Sequence, residues 1–138
     1  MGIQLHLALD GFDADKDIIS NLEIIRKFLE KYPRAIGMTP ISPPRVVEYH
    51  GKHPGDWGVS GFVLIAESHI SIHTFPEKGY LNVDIFSCKK FDDSLAKREV
   101  MSTFKIKKID SRVLDRGIEY LSADHAVHTV FLEREELI

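Results

Sequence analysis

The chain has one cysteine, Cys88, one tryptophan, Trp57, and no apolar run near bilayer length in its 138 residues. A single thiol excludes an internal disulfide, so a reducing cytoplasm is the expected setting. The compact apolar stretch Phe62 to Ala66 falls far short of the roughly 20 residues that cross a bilayer, and no membrane partner is expected. Near the start, Asp10, Asp13, Asp15, Lys16 and Asp17 interrupt any signal-peptide core. There is no basic excess either. Lys and Arg total 18 against 21 Asp and Glu, a formal net charge of -3, which argues against a nucleic-acid binder relying on a broad basic face. Internal repeats and low-complexity tracts are also missing. What remains is the length of one ordinary domain, residues 1–138, able to bury a core yet short enough that a second subunit can be needed to complete an active site.

Periodicity outlines the fold. Ile3 to Leu9 alternates as a half-buried strand, and Asp10-Gly11 carries turn chemistry. From Asp15 to Tyr32 the apolar positions Ile18, Leu22, Ile25 and Leu29, flanked by Ile19 and Phe28, recur at helical spacing, and Pro33 is expected to stop that helix. Pro40, Pro43 and Pro44 suit an irregular connection, followed by a short strand at Arg45 to Tyr49 and a loop from His50 to Gly58. Phe62 to Ala66 reads as a buried strand, Glu67 to His69 as a turn, and Ile70 to Thr74 as the next strand. After a turn at Pro76 to Gly79, Leu81, Val83 and Ile85 alternate through a strand ending at Cys88. A second helix over about 93–107 and one or two strands over Ile109 to Leu121 complete the pattern. Two helical segments among several strands joined by short turns predict an α+β fold, a two-layer sandwich with helices on one face of a largely antiparallel sheet.

The segment Ala66 to Glu77 concentrates reactive groups: Glu67, Ser68, His69 and His73 lie together, with Cys88 a short way on. A serine hydroxyl needs a base or a strained setting to become a nucleophile, and His69 and His73 are the nearby candidates. The plainer reading makes Ser68 a turn residue and both histidines polar groups on a strand's outer face. His69 and His73 also have the i, i+4 spacing of a helical metal pair. Ile70 and Ile72 alternate with Ser71 and His73 as in a strand, however, and no third ligand is arranged as zinc requires, so no metal site is expected. A serine-hydrolase reading lacks its Gly-x-Ser-x-Gly elbow.

The stretch from Gly58 to Cys88, GVSGFVLIAESHISIHTFPEKGYLNVDIFSC, closely resembles the core signature of the short prokaryotic S-adenosylmethionine decarboxylase family. The Ser-Gly, Glu-Ser-His, Ile-His-Thr, Pro-Glu and Asp-Ile-Phe-x-Cys elements stand in order and at family spacing, with weaker similarity over residues 5–30. The resemblance implies a proenzyme that cuts itself between Glu67 and Ser68 into residues 1–67 and 68–138. Ser68 would attack the Glu67 carbonyl, turning amide into ester, and elimination and hydrolysis would then leave a pyruvoyl group as the cofactor. In the family that group takes the substrate amine as a Schiff base and serves as an electron sink for decarboxylation, within polyamine biosynthesis.

By the same resemblance His73 handles protons during processing, Ser60 assists it, and Cys88 returns a proton to the substrate. Glu77 matches an acidic substrate-binding residue. The family pairs two copies, so a homodimer of processed halves is expected, with an amino-acid-type small molecule as substrate. Before Gly58 the sequence departs from the family's aromatic-rich pattern, reading His53-Pro54-Gly55-Asp56-Trp57. Trp57 is a candidate to stack on adenine or to anchor the loop, and Phe75 stands where an indole is common. Relatives that decarboxylate L-arginine or L-ornithine provide an alternative, with Asp56 pairing with a cationic side chain. A fold that kept Ser68 but never cleaves would be a binding protein.

Overall fold

A computed structural model of the chain describes residues 4–117. In chain order they form β1 (Gln4–Phe12), α1 (Lys16–Ile19), α2 (Leu22–Ala35), β2 (Arg45–His50), β3 (Trp57–Ile65), β4 (Ser68–Phe75), a 3₁₀ turn (Pro76–Lys78), β5 (Tyr80–Ser87), α3 (Asp93–Phe104) and β6 (Lys108–Arg116). Among the described residues the six strands make one sheet in the order β2-β3-β4-β5-β1-β6, and each neighbouring pair is antiparallel.

Period-two alternation decides which side chains meet the helices. Leu7 and Leu9 of β1, Val59, Val63 and Ile65 of β3, Ile70 and Ile72 of β4, and Leu81, Val83 and Ile85 of β5 are all buried in one cluster. The helices fill it from a single side with Ile25, Phe28, Leu29 and Tyr32 of α2 and Ala96, Val100 and Phe104 of α3. Full burial of each such aliphatic or aromatic side chain stabilises the fold by roughly 1.5–3 kcal/mol. The Tyr32 hydroxyl donates to the Ala96 carbonyl at 2.8 Å, tying α2 to α3, and burial pushes that phenol well above its ordinary range. This is the expected α+β two-layer arrangement. Among the described residues the sheet's other face carries no helix: Phe62 and Leu64 remain 43% and 42% exposed, beside the half-buried His69, Asp84 and Phe86.

Several boundaries differ from the sequence expectation. β1 continues through Asp10-Gly11 to Phe12, because both residues pair with β5 and β6, and the turn falls instead at Asp13, where φ is 56°. The expected single helix is split in two: the Asn21 side chain caps a new helix by accepting from Glu23 and Ile24 N–H groups. Pro33 lies inside α2 rather than ending it. The bond lost there is near the helix end, while Tyr32 and Pro33 are both buried. β3 begins at Trp57, five residues early, so the expected loop shrinks to residues 51–56. The turn after β3 is Ala66-Glu67 alone, and Ser68 already belongs to β4. α3 ends at Phe104, where Lys105 adopts φ 52° and closes the helix. Of the expected strands, Ile3 and residues 118–121 lie outside the described residues.

Candidate active site

The apolar run Phe62 to Ile65 drives β3 through the sheet, and the Ala66-Glu67 turn returns the chain as β4, pairing Ile65 with Ser68. On its other side Ser68 pairs with Ser87, the buried last residue of β5. Ser68 has φ 136°, a region that a residue with a side chain enters only at an energetic cost. The residue that follows β5, Cys88, donates its backbone N–H to the Glu67 carbonyl oxygen at 3.3 Å. Its half-buried sulfur accepts from Gln4 Nε2 at 3.2 Å. One end of the sheet thus gathers Gln4, Glu67, Ser68 and Cys88.

A second group lies on the helix-free face. Ser60 and His73 are paired in register across β3 and β4, and Ser60 Oγ shares a 2.9 Å hydrogen bond with His73 Nδ1. Together with Arg45, Val47, Phe62 and Ser71 they line a concavity of ≈ 180 Å³. A larger groove of ≈ 300 Å³ between α2 and α3 contains none of these groups.

The third group is at the far end of β4. Glu77 accepts from Trp57 Nε1 at 3.2 Å and from Lys16 Nζ at 3.1 Å. The Trp57 hydrogen bond first, then that of Lys16, holds the Glu77 carboxyl below its usual range. Trp57 also stacks on His50 with ring centroids 5.9 Å apart, and Phe75 stacks on Tyr80 at 5.3 Å. Asp56 is exposed in the turn just before Trp57, its backbone N–H donating to the His53 carbonyl at 2.9 Å.

Ser68, His69 and His73, close in sequence, therefore do not converge. Five register positions separate Ser68 from His73 on β4, about 17 Å at the rise of a strand, and an odd spacing places them on opposite sheet faces. His69 instead lies beside Phe86, with centroids 5.8 Å apart. Cys88 does reach the Glu67–Ser68 bond, through its N–H on the Glu67 carbonyl, while Ser60 meets His73 and Trp57 meets Glu77. Gln4 and Arg45 escaped the sequence reading. Strand alternation marks both as half of a pleat, but only the pairing of β1 with β5 and of β2 with β3 brings them to these sites.

The sequence profile of S-adenosylmethionine decarboxylase matches residues 5–117. The chain belongs to that family. An S-adenosylmethionine decarboxylase proenzyme of Aquifex aeolicus (strain VF5) is 39% identical over 117 residues, covering 83% of this chain and 81% of its own. The proenzyme of Clostridium botulinum (strain Langeland) is 36% identical over 116 residues, covering 81% of this chain and 92% of its own. The crystal structure of the adenosylmethionine decarboxylase from Aquifex aeolicus VF5 is similar at a TM-score of 0.69 and 35% identity, covering 84% of this chain and 92% of that one. The family match takes in all three groups of residues described above except Gln4. Among the described residues no helix is long and apolar enough to cross a membrane.

Proposed function

We propose that this chain is a self-processing, pyruvoyl-dependent decarboxylase of S-adenosylmethionine, cut between Glu67 and Ser68 into residues 1–67 and 68–138. The reading is carried by the hydrogen bond from the Cys88 N–H to the Glu67 carbonyl oxygen. That oxygen gains negative charge when Ser68 Oγ adds to its carbon, and a backbone donor already aimed at it stabilises the charge. The new C–O bond forms as the Glu67–Ser68 C–N bond breaks, so a stable amide becomes a labile ester with a free amine on Ser68. A base then removes the Ser68 α-proton, the Glu67 carboxylate departs, and addition of water with loss of ammonia completes the pyruvoyl terminus. A serine at φ 136°, paired with the Ser87 that precedes a half-buried thiol, suits that group. Once formed, it supplies the electron sink that decarboxylation needs.

The other residues have roles fitted to their places. His73, hydrogen-bonded to Ser60, acts as the proton-handling base of processing. Cys88 delivers a proton to the substrate after carbon dioxide leaves. Glu77, Trp57, Phe75 and Asp56 form the substrate-binding end. About 17 Å separates Ser68 from His73 in one chain, so the site is completed by a second copy. A second copy brings its helix-free face, with Ser60 and His73, and its Glu77 to the sheet end that carries Ser68 and Cys88 of the first. The ≈ 180 Å³ concavity of a single copy is also below the 300–1,000 Å³ usual for ligand sites, and closure by a second face enlarges it.

Intact mass under denaturing conditions tests the reading. The wild type should give two fragments meeting at Glu67 and Ser68, the second carrying pyruvate in place of serine, and Ser68→Ala should stay whole. An uncut wild type would leave a non-catalytic binding relative. Processed protein is then offered S-adenosylmethionine, L-arginine and L-ornithine. Turnover of a basic amino acid with S-adenosylmethionine untouched would keep the processing and replace the substrate.

A further inference from the structure

We infer that Gln4 is a positioning residue for Cys88, fixing the direction in which the thiol presents its proton; the inference rests on the reading of Cys88 as the substrate's proton donor. The Cys88 backbone is held on one side by its N–H bond to Glu67 and on the other by the buried Ser87, which pairs with both Leu5 and Ser68. With the backbone fixed, the thiol's freedom is its rotation among three staggered wells. The Gln4 Nε2–H bond to Sγ, 3.2 Å long, selects one of them.

The strand order supplies the direction. β5 runs between β4 and β1, so Cys88 at its end stands between Ser68 on one side and Gln4 on the other. A sulfur that accepts from the β1 side keeps its own S–H off that side and leaves it for the β4 side, where Ser68 begins. During turnover the S–H bond breaks as the substrate's α-carbon gains its C–H bond. The thiolate left behind retains the Gln4 donor until solvent returns a proton.

The carboxamide is itself confined. Gln4 pairs with Arg116 of β6, and the next residue, Gly117, at φ 83°, leaves open the space the amide uses. A Cβ at Gly117 would come within 3.3 Å of Gln4 Oε1, tight enough to displace a neighbour.

The sole cysteine makes the test clean. Gln4→Leu and Gln4→Glu keep the side chain's size and remove the N–H donor, and Gly117→Ala crowds the amide without touching it chemically. In uncut Ser68→Ala protein carrying 13C-labelled cysteine, three-bond couplings at the single Cβ should report one rotamer for Gln4. In the Gln4 variants that rotamer should lose about half its population. In processed protein turning over S-adenosylmethionine in deuterated water, the fraction of deuterium delivered to the opposite face of the α-carbon should rise about tenfold once the thiol samples a second well. An unchanged rotamer in both Gln4 variants overturns the inference. A Cys88→Ala enzyme with undiminished rate and stereochemistry overturns instead the reading on which it rests, and leaves the rotamer result standing.

Discussion

Mixing two inactive variants tests the most demanding feature of the site. Ser68→Ala lacks the nucleophile and His73→Ala lacks the base, so each alone should remain a single uncut chain. Within one copy the two groups are five register positions apart, on opposite faces, a separation of about 17 Å that no side-chain rotation spans. Across a two-fold interface the geometry changes: a His73→Ala chain keeps Ser68 and meets the intact His73 of a Ser68→Ala partner. Random assortment of equal amounts makes half the pairs mixed, and each mixed pair contains one cleavable chain. Co-expression should therefore cleave about half of the His73→Ala chains, roughly a quarter of all chains, while Ser68→Ala chains stay whole. Intact mass separates the four species directly. A base acting within its own chain leaves the mixed pairs as uncut as the parents, and that outcome would refute the composite site. Normal cleavage of His73→Ala alone would remove His73 from processing altogether.

The remaining expectations are narrower. Cys88→Ala should still cut, since its backbone N–H on Glu67 survives, but turnover should fall by about 10²–10⁴ with loss of a positioned acid, read as kcat on fully processed protein. The Trp57 and Lys16 contacts lower the Glu77 pKa, so their stabilisation is present above the ordinary glutamate value near 4.3 and disappears as pH falls through the depressed folded value. The urea-midpoint difference between wild type and Glu77→Gln should thus be flat from neutral pH to about 5 and shrink under further acid; a difference that grows on acidification contradicts the assignment. Asp56→Asn should weaken use of L-arginine or L-ornithine relative to S-adenosylmethionine, and an unchanged substrate profile removes Asp56 from specificity. Gly58→Ala puts a Cβ 1.8 Å from the Thr74 carbonyl oxygen, so in an uncut Ser68→Ala background it should lower stability by about 3 kcal/mol or more in urea titration; a loss under about 0.5 kcal/mol would show that β3 shifts freely.

What the sequence discloses follows from how local each signal is. The alternation of Leu81, Val83 and Ile85 reads straight through to β5, because period two is fixed by the backbone itself. The alternation of Ile70 and Ile72 likewise marks β4. Asp10-Gly11 misleads, because its turn preference is local while two flanking strands hold it extended. The split between α1 and α2 is hidden for a related reason. Ile18, Ile19, Leu22 and Ile25 keep helical spacing across the break, and only the capping geometry of Asn21 reveals that a new helix begins.

At the site, motif spacing names Ser68, His73 and Cys88 but says nothing by itself about who meets whom. On a strand, sequence neighbours separate quickly and alternate faces, whereas distant residues are brought together by register. Cys88 reaches the Glu67–Ser68 bond because β4 pairs with β5 at Ser87, and Ser60 reaches His73 because β3 pairs with β4. Gln4 reaches Cys88 from 84 residues away for the same reason. The odd five-residue interval between Ser68 and His73 then has a physical meaning. If both groups serve one bond while fixed on a single extended strand, they cannot do so from the same copy, because the pleat turns them apart and the rise carries them away. A second chain restores the contact by setting its own His73-bearing face, which among the described residues carries no helix and still exposes Phe62 and Leu64, against the sheet end that carries Ser68 and Cys88.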